Sequence, residues 1–378
     1  MKKDCVKKSS LYRRVRKFDT GFTPLALRGE NDVSGRNTFM KKARVAINGF
    51  GRIGRLMVRG MYDYDQEGLF DIVATNSRSL AEQRAHLLKY DSVHRRFKEE
   101  VTHDENHFYI NGKPIENLRF SDPHSYPWGD LGIDIVIEAS GKFTRPEKAL
   151  VHLERGAKKV ILTAPSHNNS MKTIVMGVNE EAYDPSRDHM ISNASCTTNC
   201  LAPVVKVLHE NFGIRDGMMT TVHSYTNDQC TLDSAHSKFN RGRANAMSMI
   251  PTTTGAASAI GAVLPELDGR LHGIAIRVPT PDVSLVDLVA DLEEAPTKET
   301  INEAMKKAAQ GPMGKYLGYE EDQCVSMDYV GDPRSSIFAA PYTMALGHKA
   351  KVLAWYDNEW GYACRCVDLT NFIIRQGL

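Results

Sequence analysis

The chain has 378 residues, 42% hydrophobic and 25% charged, ordinary globular values for a chain too long for one simple core and consistent with about two domains. The formal net charge of +2 is unevenly placed: residues 1–39 hold ten Lys and Arg against Asp4, Asp19, Glu30 and Asp32, so this stretch carries +6 and the rest −4. A mildly acidic body gives no electrostatic basis for nucleic-acid binding, and no run of about 18 apolar residues exists to span a membrane.

The basic run from Lys2 to Lys17 lacks the apolar core of a secretory signal. It reads as a disordered extension, a transit peptide, or a leader ahead of a natural start at Met40-Lys41-Lys42. Seven cysteines, an odd number without CxxC spacing, fit a reducing, cytoplasmic setting.

Arg44–Asn48 is short and apolar and runs into glycine, the pattern of a buried strand. Gly49-Phe50-Gly51-Arg52-Ile53-Gly54 follows, and Ile53–Tyr62 reads as a helix. A glycine-rich turn between strand and helix permits close backbone approach and aims the helix N-terminus at a pyrophosphate. Phe70–Thr75 is a second strand, ending in Asn76-Ser77-Arg78 rather than in a carboxylate. A carboxylate there would bond the ribose hydroxyls of NAD. Arg78 can instead pair with a 2′-phosphate, so charge favours NADP or dual use. Strands at Ile133–Ala139 and Lys159–Thr163 complete a parallel α/β pattern.

Ser192–Pro203 carries Cys196 into an apolar helical run that continues to His209. That places Cys196 at a helix N-terminus, where the dipole favours thiolate and the backbone N–H groups suit an oxyanion. Cys200 lies one turn later and reads as a buried structural thiol. Strands follow at Met218–His223, Gly273–Val278 and Ser284–Leu292, with long connections, so the second half reads as α+β. His223 ends one of them and can serve Cys196 as base. Thr252-Thr253-Thr254-Gly255, Arg241-Gly242-Arg243 and Arg277 supply hydroxyls, glycine N–H groups and guanidinium forks for phosphate. Asp368–Arg375 reads as a last amphipathic helix.

These expectations define a Rossmann-type parallel sheet domain over 40–195, completed by the C-terminal helix at about 358–378. A second α+β catalytic domain over 196–357 has a mixed, largely antiparallel sheet.

Ile47–Arg55, Ala194–Cys200 and Trp355–Tyr362 together resemble three signatures of phosphorylating glyceraldehyde-3-phosphate dehydrogenases, a resemblance that covers 43–378. The resemblance implies Cys196 as nucleophile and His223 as its base. It implies two anion sites, for substrate phosphate and inorganic phosphate, from Ser195, Thr197, Thr226, Arg241, Thr254, Gly255 and Arg277. Arg241 and Arg243 compete for one of these roles. Gly49, Gly51, Arg52, Ile53, Gly54, Asn76, Ser77, Arg78, Thr163 and Asn358 would hold NAD or NADP, and a homotetramer is implied. Three departures stand out: Ser77 replaces the usual Asp, Ser234-Ala235 replaces the Leu-Pro of NAD-specific members, and Ser121 replaces an Arg often found before Asp122-Pro123. The first two resemble NADP-accepting members. The weighed alternatives are erythrose-4-phosphate dehydrogenase, a papain-like arrangement of Cys196, His223 and Asn358, and a non-catalytic binding protein.

Overall fold

The computed structural model describes residues 41–378; the expectations for residues 1–39 lie outside the described residues. The glycine-rich turn sits where a parallel sheet changes direction. Ala43–Asn48 pairs in parallel with Phe70–Asn76 on one side and with Ile135–Glu138 on the other. Lys159–Leu162, Met190–Ser192 and Lys172–Thr173 extend the second side in parallel. Lys113–Leu118 extends the first in parallel, before His107–Ile110 and Val101–His103 close that edge antiparallel. The result is one nine-stranded sheet whose switch point, where such sheets bind ligands, falls at Gly49. The short antiparallel strands were not read from the sequence: at three and four residues, Val101–His103 and His107–Ile110 are too short to show a period.

The second sheet is mixed. Ile214–Ser224 lies parallel to Leu271–Val278 and antiparallel to Ser284–Leu292, which in turn pairs antiparallel with Lys349–Tyr356. Cys196–Phe212 is a helix whose Leu201, Val204, Val205 and Leu208 are buried in this sheet's core. It runs three residues beyond His209, to the helix-stopping Gly213 at φ +62°.

The last helix falls within the expected 358–378 but starts well before the amphipathic run at Asp368. It spans Trp360–Gln376 and so starts eight residues before Asp368. Asp357 accepts from the N–H groups of Glu359 and Trp360, which starts the helix early. Its Cys366, Val367, Leu369 and Ile373 join the core of the first sheet. Cys196 packs against both cores.

Candidate active site

The bend before Cys196 is set by Ala194, a non-glycine residue at φ +55°. Tyr362 donates its hydroxyl to the Ala194 carbonyl at 2.9 Å, and Ala194 N–H donates to Ser192 Oγ at 3.1 Å. Ser195 then caps the helix, its Oγ accepting from Thr198 N–H at 3.0 Å. Cys196 is the first helical residue.

His223 reaches Cys196 from the second sheet, with Nε2 3.6 Å from Sγ. Its Nδ1 lies 2.7 Å from the Ser224 carbonyl, which can only accept, and 3.1 Å from Arg277 Nη1, which can only donate; the shorter contact assigns the proton to Nδ1. Nε2 is therefore the bare nitrogen, facing the thiol. Arg277 pairs in register with His223 on the neighbouring parallel strand. Its Nη1 donates to the same carbonyl at 3.0 Å and to Thr226 Oγ1 at 3.4 Å. Burial, then Arg277, pushes the His223 imidazole down to about 3. Burial also pushes the Cys196 thiol above its usual value, against Arg277 and hydrogen bonds at the helix start. Burial thus works against the thiolate expected from the helix dipole, and disfavours charge on both the thiol and the imidazole.

Part of the predicted anion set stands beside this pair: Ser195 and Thr197 flank Cys196, Thr226 bonds Arg277, and Arg241 acts on the His223 imidazole. Arg241 donates from Nε to Thr252 Oγ1 at 3.0 Å, pairs with Asp228, and lies close enough to lower both the His223 and Arg277 values. Arg243 points away, onto exposed Asp233, so of the two arginines the fold turns Arg241 toward the site. The Thr254 hydroxyl accepts from Ala256 N–H at 3.2 Å. At Gly255 a Cβ would meet only Ser258 Oγ at 4.0 Å, which leaves that backbone open. Two hydroxyls are already occupied. Thr197 Oγ1 lies 2.9 Å from Tyr356 OH, and Ser195 Oγ serves the helix cap and Thr198 Oγ1. Tyr356 was not singled out in sequence. Its OH bridges Thr197 and Thr221, and its ring stands edge-on to His223. It lies within the quoted Trp355–Tyr362 signature, which carried the missed signal.

At the switch point the glycines test the fit of a dinucleotide. A Cβ on Gly49, at φ +103°, would come within 2.5 Å of the Ala139 and Ser140 backbone, and one on Gly54 within 2.3 Å of Gly49 O. Gly51 has nothing within 4 Å, so this backbone admits a close neighbour. The helix Arg52–Asp63 has no side-chain cap, which leaves its first N–H groups, Ile53 among them, for a phosphate. These features fit a bound pyrophosphate. Arg52 contributes backbone here, because its guanidinium is held by Asp91 and Glu359.

Asn76 is committed inward. Its Nδ2 donates to Asn48 Oδ1 at 2.8 Å, its Oδ1 accepts from Phe120 N–H at 2.9 Å, and Asn48 in turn donates to buried Glu138 at 2.6 Å. Of the three residues predicted at the ribose, Ser77 bonds only Ser79 Oγ, at 3.5 Å, and Arg78 is exposed. Thr163 bonds the Glu138 carbonyl through both N–H and hydroxyl. Asn358 is held by Ser284, whose hydroxyl donates to Oδ1 at 2.6 Å.

Two family models match the chain: the NAD binding domain of glyceraldehyde 3-phosphate dehydrogenase over residues 43–146 and its C-terminal domain over 195–358. The chain belongs to the glyceraldehyde-3-phosphate dehydrogenase family. It is 54% identical over 333 residues to glyceraldehyde-3-phosphate dehydrogenase 2 of Bacillus subtilis strain 168, covering 88% of this chain and 97% of that protein. The glyceraldehyde-3-phosphate dehydrogenase of Geobacillus stearothermophilus is 54% identical over 336 residues, covering 89% and 99%. That of Streptomyces coelicolor is 52% identical over 335 residues, covering 88% and 99%. The family membership accounts for the combination of a glycine-lined switch point in one sheet and a cysteine–histidine pair presented by the other.

Proposed function

We propose that the chain oxidises and phosphorylates D-glyceraldehyde 3-phosphate, reversibly, to 1,3-bisphosphoglycerate, with NAD or NADP as oxidant. The observation that carries this is the bare Nε2 of His223 at 3.6 Å from Cys196 Sγ, with Arg277 in register beside it. Cys196 sulfur bonds to the aldehyde carbon while its proton passes through Nε2 to the carbonyl oxygen, giving a thiohemiacetal. Nε2 then takes the hydroxyl proton as hydride leaves, and a thioester remains on Cys196. Bound nicotinamide supplies the hydride acceptor. An oxygen of inorganic phosphate attacks the thioester carbon, the C–S bond breaks, and the departing thiolate recovers its proton from the imidazolium.

Ser195, Thr197, Thr226, Arg241, Thr254, Gly255 and Arg277 form the anion sites in this reading. Ser195 and Thr197 act through backbone N–H groups, since their hydroxyls are engaged. Steady-state turnover with glyceraldehyde 3-phosphate is expected to require added phosphate. Phosphate-independent oxidation of erythrose 4-phosphate at a higher rate would favour the four-carbon sugar as substrate.

Cofactor choice rests on Ser77 and Arg78. With no carboxylate there and an exposed guanidinium, kcat/KM for NADP is expected to equal or exceed that for NAD. A charged hydrogen bond contributes about 1.5–3 kcal/mol, so Arg78→Ala should weaken NADP roughly 10- to 100-fold and leave NAD nearly unchanged. Strong NAD preference in the unaltered protein would reject the charge argument.

The dinucleotide-binding domain comprises 40–195 with the last helix, and the catalytic domain 196–357. A homotetramer is supported by exposed apolar side chains: Met218 and Ile274 on adjacent strands, and Leu232, Phe239, Met247 and Met249 in the connection after His223. Light scattering should give a four-chain mass. Among the described residues no helix is long and apolar enough to cross a membrane. A cytoplasmic location accords with the free cysteines.

A further inference from the structure

Behind Asn358 lies a cluster that the proposed reaction does not use. His94, Asp282 and Asp357 each turn one potential ligand atom inward, all within 4.8 Å of one another. His94 Nε2 is 3.5 Å from Asp282 Oδ2 and 3.2 Å from Glu359 Oε2. A first-row divalent ion bonded at about 2.0–2.2 Å holds its donors roughly 3–4.3 Å apart, so these atoms stand close to ligand spacing.

A second observation singles out Asp282. It is 1% exposed, and neither carboxylate oxygen has a hydrogen-bond partner. A buried carboxylate in that state is costly unless a positive charge joins it. The neighbours do not supply enough charge. Arg52 is divided between Asp91 and Glu359, and among the described residues the His94 imidazole faces Asp282 and Asp357.

Asp357, by contrast, is already oriented as a ligand. Its oxygens accept from the N–H groups of Gly331, Glu359 and Trp360 at 2.7–2.9 Å, the backbone support typical of ligating carboxylates. A cavity of about 520 Å³ bordered by His94, Gly331 and Trp360 offers a route to the imidazole.

We propose that His94, Asp282 and Asp357 form a binding site for a first-row divalent cation, with Mn²⁺ the fitting probe. One imidazole nitrogen with carboxylate oxygens is a donor set such ions accept. The site would clamp the segment that presents Asn358, since Asp357 precedes Asn358 directly and Asp282 lies two residues before Ser284, which holds it. The role is positional and stands apart from the chemistry at Cys196.

The test uses the full chain, stripped with a chelator and titrated with Mn²⁺, free ion being counted by electron paramagnetic resonance. The expected result is one Mn²⁺ bound per chain and a rise in thermal midpoint on saturation. Asp282→Asn should abolish both while leaving the metal-free protein about as stable, because it replaces a carboxyl whose oxygens have no hydrogen-bond partner. His94→Gln should weaken binding at least tenfold, and serves as the second variant should Asp282→Asn fold poorly. No Mn²⁺ binding by the unaltered chain, or equal binding and thermal shift in both variants, overturns the site.

Discussion

Cys196→Ser is expected to lower kcat by roughly 10⁴-fold or more, the scale seen when a covalent nucleophile is removed. A serine hydroxyl in the same half-buried position has no comparable nucleophilicity. Its only base is a neutral imidazole whose basicity burial has already reduced. Nucleotide affinity should stay within about twofold, because the glycine cradle at Gly49 and Gly54 is built by other elements. The neighbouring thiol gives the internal control. Cys200 is fully buried against Ser336 and the Ala354 carbonyl, and burial drives its thiol far above the usual range. Cys200→Ser should therefore retain most activity. Pre-steady-state bursts and iodoacetamide labelling distinguish the two. A burst surviving in Cys196→Ser would move the nucleophile elsewhere.

What the sequence disclosed follows from the range of the interactions involved. The glycine turn is a local strand–turn–helix pattern, so Gly49–Gly54 was legible, although the backbone that crowds Gly49 is that of distant Ala139 and Ser140. Cys196 at a helix start was legible for the same reason, with Ser195 as cap before an apolar run. The pairing of His223 with Arg277 was not: it is a parallel register between strands whose residues stand 54 positions apart. The engagement of Arg52 by Glu359 spans 307 positions, and no local pattern foretells it. Asn76 was read as a cofactor ligand because of where its strand ends. The inward bonds to Asn48 and Phe120 that commit it depend on neighbouring strands and loops. The thiolate expectation weighed only the helix terminus, worth about 0.3–1 kcal/mol, and not the packing of Cys196 against two cores, which works against ionisation.

His223→Asn is expected to lower kcat roughly 10²- to 10⁴-fold, the usual range for a lost general base. Its pH behaviour separates a base from a mere packing residue. The imidazole sits at about 3 in the folded protein against 6.5 for its ordinary value, so it is already neutral throughout the assay range. Iodoacetamide alkylation of Cys196 should therefore rise steadily with pH as the raised thiol ionises, without an inflection near 6–7 from His223. An inflection there that vanishes in His223→Asn would show instead a preformed thiolate–imidazolium pair. Stability gives an independent reading. Below pH 6.5 the unfolded chain binds a proton at this histidine that the folded chain refuses until about 3, so stability falls as pH drops through that window. Asparagine does not titrate, and His223→Asn should lose less stability than the unaltered protein between pH 6.5 and 4. Parallel losses in urea titrations across that range would mean the imidazole is not held neutral by its burial between Cys196 and Arg277.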